Sequence, residues 1–177
     1  IILATASQQY GGFTVPEVDK ILSYYAEKSY RKYLTEFENY GIKDADKIAI
    51  DKVKRDFEQG FQGIEMKLNT VGSSRGDYPF ITMSFGLGVT RFARMASLIF
   101  LHVHAQGQGK KDHKKPVLFP KLVFLYDKKL HGKGCINYDI FEAGIECSSK
   151  TMYPDWLSLD KDEMYQKYGT PVSPMGC

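Results

Sequence analysis

Between Val18 and Phe37 the apolar residues Val18, Ile21, Leu22, Tyr25, Tyr33, Leu34 and Phe37 recur at the spacing of one helix face, with polar residues filling the gaps. Thr14 offers a side-chain oxygen to the free amides ahead of them. Pro16 suits a first helical turn and Glu17 completes a capping box, so the helix is expected to begin at Thr14. Gly41 is expected to end it as a C-terminal cap. A second stripe, Val53, Phe57, Phe61, Ile64 and Leu68, predicts a helix from about 44 to 70, roughly 40 Å long at 1.5 Å per residue. Gly60 and Gly63 inside it cost about 1 kcal/mol each relative to alanine. Either the helix bends there or another backbone comes close. A short turn joins the two helices into an antiparallel hairpin whose apolar and aromatic content exceeds what the pair can bury on each other. Either a partner surface or the rest of the domain must cover the remainder.

After the hairpin the pattern changes period. Residues 80–85 read as a strand. Residues 89–104 read as a helix with Phe92, Met95, Ala96 and Ile99 on one face. Leu122-Val123-Phe124-Leu125-Tyr126 is apolar on both faces, as suits a strand inside a parallel sheet. Residues 137–149 read as a helix, 152–159 as a turn or short strand, and 160–168 as a short charged helix ended by Gly169. Strand, helix, strand, helix in that order predicts parallel strands with helical crossovers, hence an α/β fold. So few strands leave sheet edges unpaired, which predicts part of a larger α/β domain.

Composition excludes several classes. With 43% apolar and 25% charged residues the chain is globular, and no apolar run approaches the roughly 20 residues of a membrane span. The net charge of +3 does not argue for direct nucleic-acid binding. Cys135, Cys147 and Cys177 are an odd number at wide spacing, which fits a reducing cytoplasm, and no pair has the spacing of a zinc site. The chain begins Ile1-Ile2-Leu3 without methionine and stops at a cysteine, so it is expected to be a fragment.

Few side chains suggest chemistry on their own. Gly107-Gln108-Gly109-Lys110 lacks the spacing of a phosphate loop and the hydroxyl residue after its lysine, so it reads as a basic surface loop. His102 and His104, near the end of a predicted helix, and His113 and His131, expected in loops, have no partner at metal spacing and read as structural. Cys135 and Cys147 read as small buried hydrophobes. Gly72-Ser73-Ser74-Arg75-Gly76-Asp77 combines permissive glycines, two hydroxyls and one guanidinium. That set suits either a nucleotide-following loop or an ordinary surface turn. Thr170-Pro171-Val172-Ser173-Pro174-Met175-Gly176-Cys177 reads as a stiff loop with one thiol at its tip, either structural or catalytic.

Five stretches, in order, resemble one family. They are Gln9-Tyr10-Gly11-Gly12; Leu68-Asn69-Thr70-Val71-Gly72-Ser73-Ser74-Arg75-Gly76-Asp77-Tyr78-Pro79-Phe80; Phe119-Pro120-Lys121-Leu122-Val123-Phe124; Glu146-Cys147-Ser148-Ser149-Lys150-Thr151-Met152-Tyr153-Pro154-Asp155; and Pro174-Met175-Gly176-Cys177. The chain is similar to the anaerobic (class III) ribonucleoside-triphosphate reductases, which are glycyl-radical enzymes, along essentially its whole length.

The resemblance implies a fragment of a ten-stranded α/β barrel, two parallel five-stranded halves set antiparallel, preceded by a long helical hairpin. The hairpin occupies 13–70 and forms a homodimer interface, 71–169 is a strand-helix barrel segment, and 170–177 opens the finger loop. Cys177 matches the cysteine that a glycyl radical converts to a thiyl radical. That radical takes the 3′ hydrogen of the ribose and the 2′ hydroxyl leaves as water. Formate supplies the electrons in most members, a thioredoxin-type protein being the alternative. Gly72, Ser73, Ser74, Arg75, Gly76 and Asp77 look like the specificity loop that reads nucleotide effectors. Gln9, Tyr10, Gly11 and Gly12 are candidate effector contacts. The implied partners are ribonucleoside triphosphates, nucleotide effectors and a radical-SAM activating enzyme, with no membrane. The glycyl radical, a second active-site cysteine, the zinc-binding cysteines and any ATP-cone are expected outside this fragment, which itself is expected to bind no cofactor. Two other readings stand beside this one: another glycyl-radical enzyme, or a non-enzymatic nucleotide-binding dimerisation module.

Overall fold

A computed structural model describes residues 2–6, 8, 11–70, 80–110 and 112–171. In chain order the elements are α1 (Ile2–Ala6), β1 (Phe13–Val15), α2 (Val18–Asn39), α3 (Ala45–Thr70), β2 (Ile81–Phe85), α4 (Arg91–Gln106), β3 (Lys121–Tyr126), α5 (Lys128–His131), α6 (Tyr138–Thr151), β4 (Asp155–Ser158) and α7 (Glu163–Tyr168). The four strands form one sheet in the order β1-β2-β3-β4, and every pairing is parallel. This is the expected α/β arrangement.

The apolar pattern explains the layers. In β2, Ile81, Met83 and Phe85 join Leu122 and Phe124 of β3 in one core with Phe61 and Leu68 of α3, Phe100 of α4 and Ile140 of α6. Phe61 stacks on Phe100 with ring centroids 4.2 Å apart. The hairpin, α4 and α6 therefore cover the same face of the sheet. Strands that advance in one direction with right-handed crossovers produce this layout. On the other face Val123 and Leu125 meet Leu87, Leu159 and Tyr165 of α7.

Much of the hairpin's apolar surplus is spent inside this unit. Ala26, Tyr30, Ala49 and Val53 pack with Phe92 of α4. Tyr33 donates to Asp56 across the hairpin at 2.7 Å, and Tyr30 donates to Asp46. Ile21, Tyr24 and Tyr25 remain exposed on α2.

Three expectations need correction. Thr14 is not a helix cap: residues 13–15 are a strand, with Thr14 opposite Thr82. The helix begins at Val18, after Glu17 in a left-handed conformation (φ 44°), whose side chain makes no capping bond. Sheet pairing claims the backbone of Phe13-Thr14-Val15 before a cap can form. The hairpin thus starts at Val18, not at residue 13. Second, of the two alternatives for Gly60 and Gly63, the close backbone is not found: among the described residues nothing lies within 4 Å of a Cβ added at either position. Third, His131 is not in a loop. It ends α5 and is buried.

Candidate functional site

Because all strands are parallel, each end of the sheet gathers one set of connections. At the N-terminal end lie the residues just before β1, β2 and β3. The amide of Phe13 donates to the carbonyl of Phe80 at 3.0 Å. Gly12 sits so close that a Cβ there would lie 2.6 Å from the Phe80 carbonyl oxygen, which explains a glycine at this position. The ring of Phe80 meets that of Phe119 edge-on at 5.3 Å. From α3, the amide group of Asn69 donates to the carbonyls of Glu65 (2.7 Å) and Phe119 (2.6 Å). It also accepts the N–H groups of Leu118 (3.0 Å) and Phe119 (3.2 Å). One turn earlier Glu65, fully buried, bonds His104 Nδ1 of α4 at 2.8 Å and accepts from Gln108 Nε2 at 3.1 Å. The first three resemblance stretches therefore meet at this end: Gly12, both flanks of 71–79, and Phe119.

At the C-terminal end a buried polar lattice holds the turn from β2 into α4. Asp19 Oδ2 accepts from the amides of Gly86 (3.1 Å) and Gly88 (2.9 Å) and from the Ser97 hydroxyl (3.3 Å). Burial pushes the Asp19 carboxyl above the usual carboxylate range, against these hydrogen bonds. Asn137 donates to the carbonyls of Gly86 (3.0 Å) and Gly88 (3.1 Å). His131 Nε2–H donates to the Gly86 carbonyl at 2.9 Å while its Nδ1 accepts the Asp127 amide at 3.1 Å. That is the neutral tautomer, and burial pulls the imidazole below its ordinary value accordingly. Tyr165 of α7 donates to Asp127 Oδ2 at 2.8 Å. Burial, then this bond, holds its phenol well above the ordinary range. Through Tyr165 the lattice anchors α7, after which the chain runs into residues 170–177.

The fourth resemblance stretch builds a turn. Ser148 accepts from the indole Nε1 of Trp156 at 3.1 Å, and Thr151 accepts the amide of Tyr153 at 3.3 Å. Gly144 admits the Trp156 ring, which would be 2.9 Å from a Cβ there. Cys147 is buried within this unit and burial raises its thiol, so it stays protonated and inert, as its structural reading expects. Cys135 is half-buried, 3.9 Å from the Lys128 carbonyl.

With the geometry in place, similarity to known proteins decides the family. The family model described as anaerobic ribonucleoside-triphosphate reductase matches residues 1–177. Relatives of that name occur in Haemophilus influenzae (39% identical), Enterobacteria phage T4 (39%) and Escherichia coli K12 (37%). The chain belongs to the anaerobic ribonucleoside-triphosphate reductase family. Each match covers all of this chain but only 25%, 29% and 24% of the respective relative, so the chain spans about a quarter of their length.

Of the residues the reductase resemblance singles out, Gly11 and Gly12 are described, and Gly12 touches Phe80. Gln9, Tyr10, Gly72, Ser73, Ser74, Arg75, Gly76, Asp77 and Cys177 lie outside the described residues. Sequence reasoning passed over Asp19, Glu65, Asn69, Asn137 and the pairing of His104. For Glu65 a signal existed: it falls four residues after Phe61 and three before Leu68, inside the apolar stripe. For Asp19 and Asn137 there was none, since their partners are backbone groups distant in sequence. Among the described residues no group of three or more His, Cys, Asp or Glu side chains is placed to hold a metal ion.

Proposed function

We propose that this chain is part of an enzyme that reduces ribonucleoside triphosphates to deoxyribonucleoside triphosphates without oxygen, by thiyl-radical chemistry. The observation that carries the reading is family membership along residues 1–177; we read Cys177, which ends the Pro-Met-Gly-Cys motif, as the finger-loop cysteine. In this reading Cys177 carries the thiyl radical, removes the 3′ hydrogen of the ribose and returns one after the 2′ hydroxyl has left as water. A thiol suits the task because its S–H bond is weak enough for a protein radical to break. A site closed to water keeps that radical from side reactions. The electrons come from formate or, as the alternative, from a thioredoxin-type protein. The glycyl radical and the zinc centre belong to parts of the full-length protein outside this chain, and a radical-SAM enzyme generates the radical in the cytoplasm. No group of described residues fits the zinc.

The fold reading follows. Four parallel strands advancing in one direction, with the hairpin, α4 and α6 on one face, support a segment of a closed barrel built from two five-stranded halves. Closure would give the outer edges of β1 and β4 their partners. Exposed Ile21, Tyr24 and Tyr25 on α2 support a homodimer surface on the hairpin. Residues 72–77 follow the hairpin in sequence and precede β2, which supports a relay from nucleotide effector to active site, with Arg75 making the directional contact and Gln9, Tyr10, Gly11 and Gly12 as further effector contacts.

The test is an oxygen-free assay of the full-length protein with its activating enzyme, formate, a ribonucleoside triphosphate and an effector. Deoxynucleotide formation is expected. Nucleotide binding without product despite a full glycyl radical would favour a sensor and refute the enzyme. Arg75→Ala is expected to flatten the effector-dependent ratio of substrate preferences with the radical content intact; unchanged ratios would remove Arg75 from the relay.

A further inference from the structure

We propose that Asn69 is a positioning residue for substrate specificity, the joint through which the hairpin moves the sheet. This rests on the reading that effector identity is passed from the hairpin side to the barrel. The four bonds of Asn69 use the whole capacity of a carboxamide: two donated and two accepted. Both donor partners are carbonyls and both acceptor partners are amides, so only one orientation of the group satisfies them. By holding both the N–H and the C=O of Phe119, one side chain does what a neighbouring strand would do. Leu118, whose amide it also binds, is 65% exposed. The chain entering β3 is thus fixed to the last turn of α3 by a side chain.

The turn before it is held from the other side. Glu65 and His104 have no side-chain exposure, and their 2.8 Å contact ties α3 to α4 in a buried setting where polar bonds are strong. Phe119 is also the neighbour of Phe80, so one residue adjoins both flanks of 71–79. β3 pairs with β2 on one side and β4 on the other. A shift of the end of α3 therefore carries the entry of β3 with it, and through β3 the middle of the sheet. Such a joint gives an effector a way to bias the sheet differently in different states, which linkage requires.

The experiment uses the full-length protein and measures substrate preference under each nucleotide effector, with glycyl-radical content fixed by spin counting. In Asn69→Ala and Asn69→Asp the effector-dependent preference is expected to fall from the about 5- to 150-fold range of allosteric couplings to within about two-fold of unity. Asp keeps the acceptor but turns an oxygen toward two carbonyls. A purely structural role would lower turnover of all substrates alike and leave their ratios unchanged; that result overturns the proposal. Arg75→Ala, measured in parallel, separates the two readings. If Arg75→Ala flattens the ratios and Asn69→Ala does not, the joint is wrong and the relay stands. If Asn69→Ala flattens them and Arg75→Ala does not, the joint stands without Arg75. If neither does, both fall. Hydrogen exchange of the unmutated protein decides the matter should the variants not fold. The Leu118 and Phe119 amides are expected to exchange about ten-fold or more slowly than an exposed loop, and loop-like rates at both would overturn the joint.

Discussion

Removing the charge of Asp19 without removing its hydrogen bonds should stabilise the chain at neutral pH. The side chain is 1% exposed, and its Oδ2 receives three donors while Oδ1 has no partner among the described residues. Burial outweighs those donors and raises the carboxyl above its ordinary 3.8. For an acid whose folded value lies above its unfolded one, the associated stability is fully present below the unfolded value and is lost as pH rises through the folded value. At pH 7 the ionised form therefore works against folding. Asn keeps an acceptor for the amides of Gly86 and Gly88 and the Ser97 hydroxyl, and carries no charge. Asp19→Asn is expected to raise unfolding stability at pH 7 by about 1 kcal/mol, the excess of the burial cost over weaker neutral bonds. The gain should shrink as pH falls toward 4. Asp19→Ala is the contrast. It strands two buried amides at about 1–3 kcal/mol each and should cost about 3 kcal/mol or more. Urea unfolding of the three proteins at pH 4 to 8 reads all of this. If Asp19→Asn loses as much stability as Asp19→Ala at pH 7, the charge itself holds the turn and the burial argument is wrong.

Other outcomes follow from the same geometry. Gly60→Ala and Gly63→Ala meet open space in α3 and should each add about 0.5–1 kcal/mol in urea unfolding. Gly12→Ala drives a methyl group into the Phe80 carbonyl and should cost about 1–3 kcal/mol on the same assay, with faster exchange of the Phe13 amide. His131, held below its ordinary 6.5 by burial, contributes stability above that value that is lost as pH falls through its folded value. His131→Gln should flatten this acid limb in a pH series of unfolding midpoints.

The long elements were legible because their periodicity was strong. β3 runs over Lys121–Tyr126 as its two-sided apolar pattern predicts, since both faces of that strand are covered. The stripe from Val53 to Leu68 turned inward as expected, and Gly41 lies just past the end of α2 with φ 67°. β1 was not legible. Three residues carry too little pattern, and Thr14-Val15-Pro16-Glu17 imitates a helix start so well that only long-range pairing with Ile81-Thr82-Met83 reveals the strand. α5 was missed for the same shortness. Of the candidate site, the sequence motifs marked where the chain matters, yet the bonds joining them were invisible. Asn69 and Phe119 are fifty positions apart, and nothing in a linear pattern announces a side chain that substitutes for a strand.

Cys177→Ser in the full-length protein tests the proposal that Cys177 carries the hydrogen-abstracting thiyl radical. The glycyl radical is generated anaerobically, counted by electron paramagnetic resonance, and the protein is given ribonucleoside triphosphate, effector and formate. A wild-type quantity of glycyl radical, retained nucleotide binding and no deoxynucleotide are expected, because the serine O–H bond is too strong to be broken in its place. Cys135→Ser, run beside it, should turn over at close to the wild-type rate. Deoxynucleotide formation by Cys177→Ser would show that another group abstracts the 3′ hydrogen.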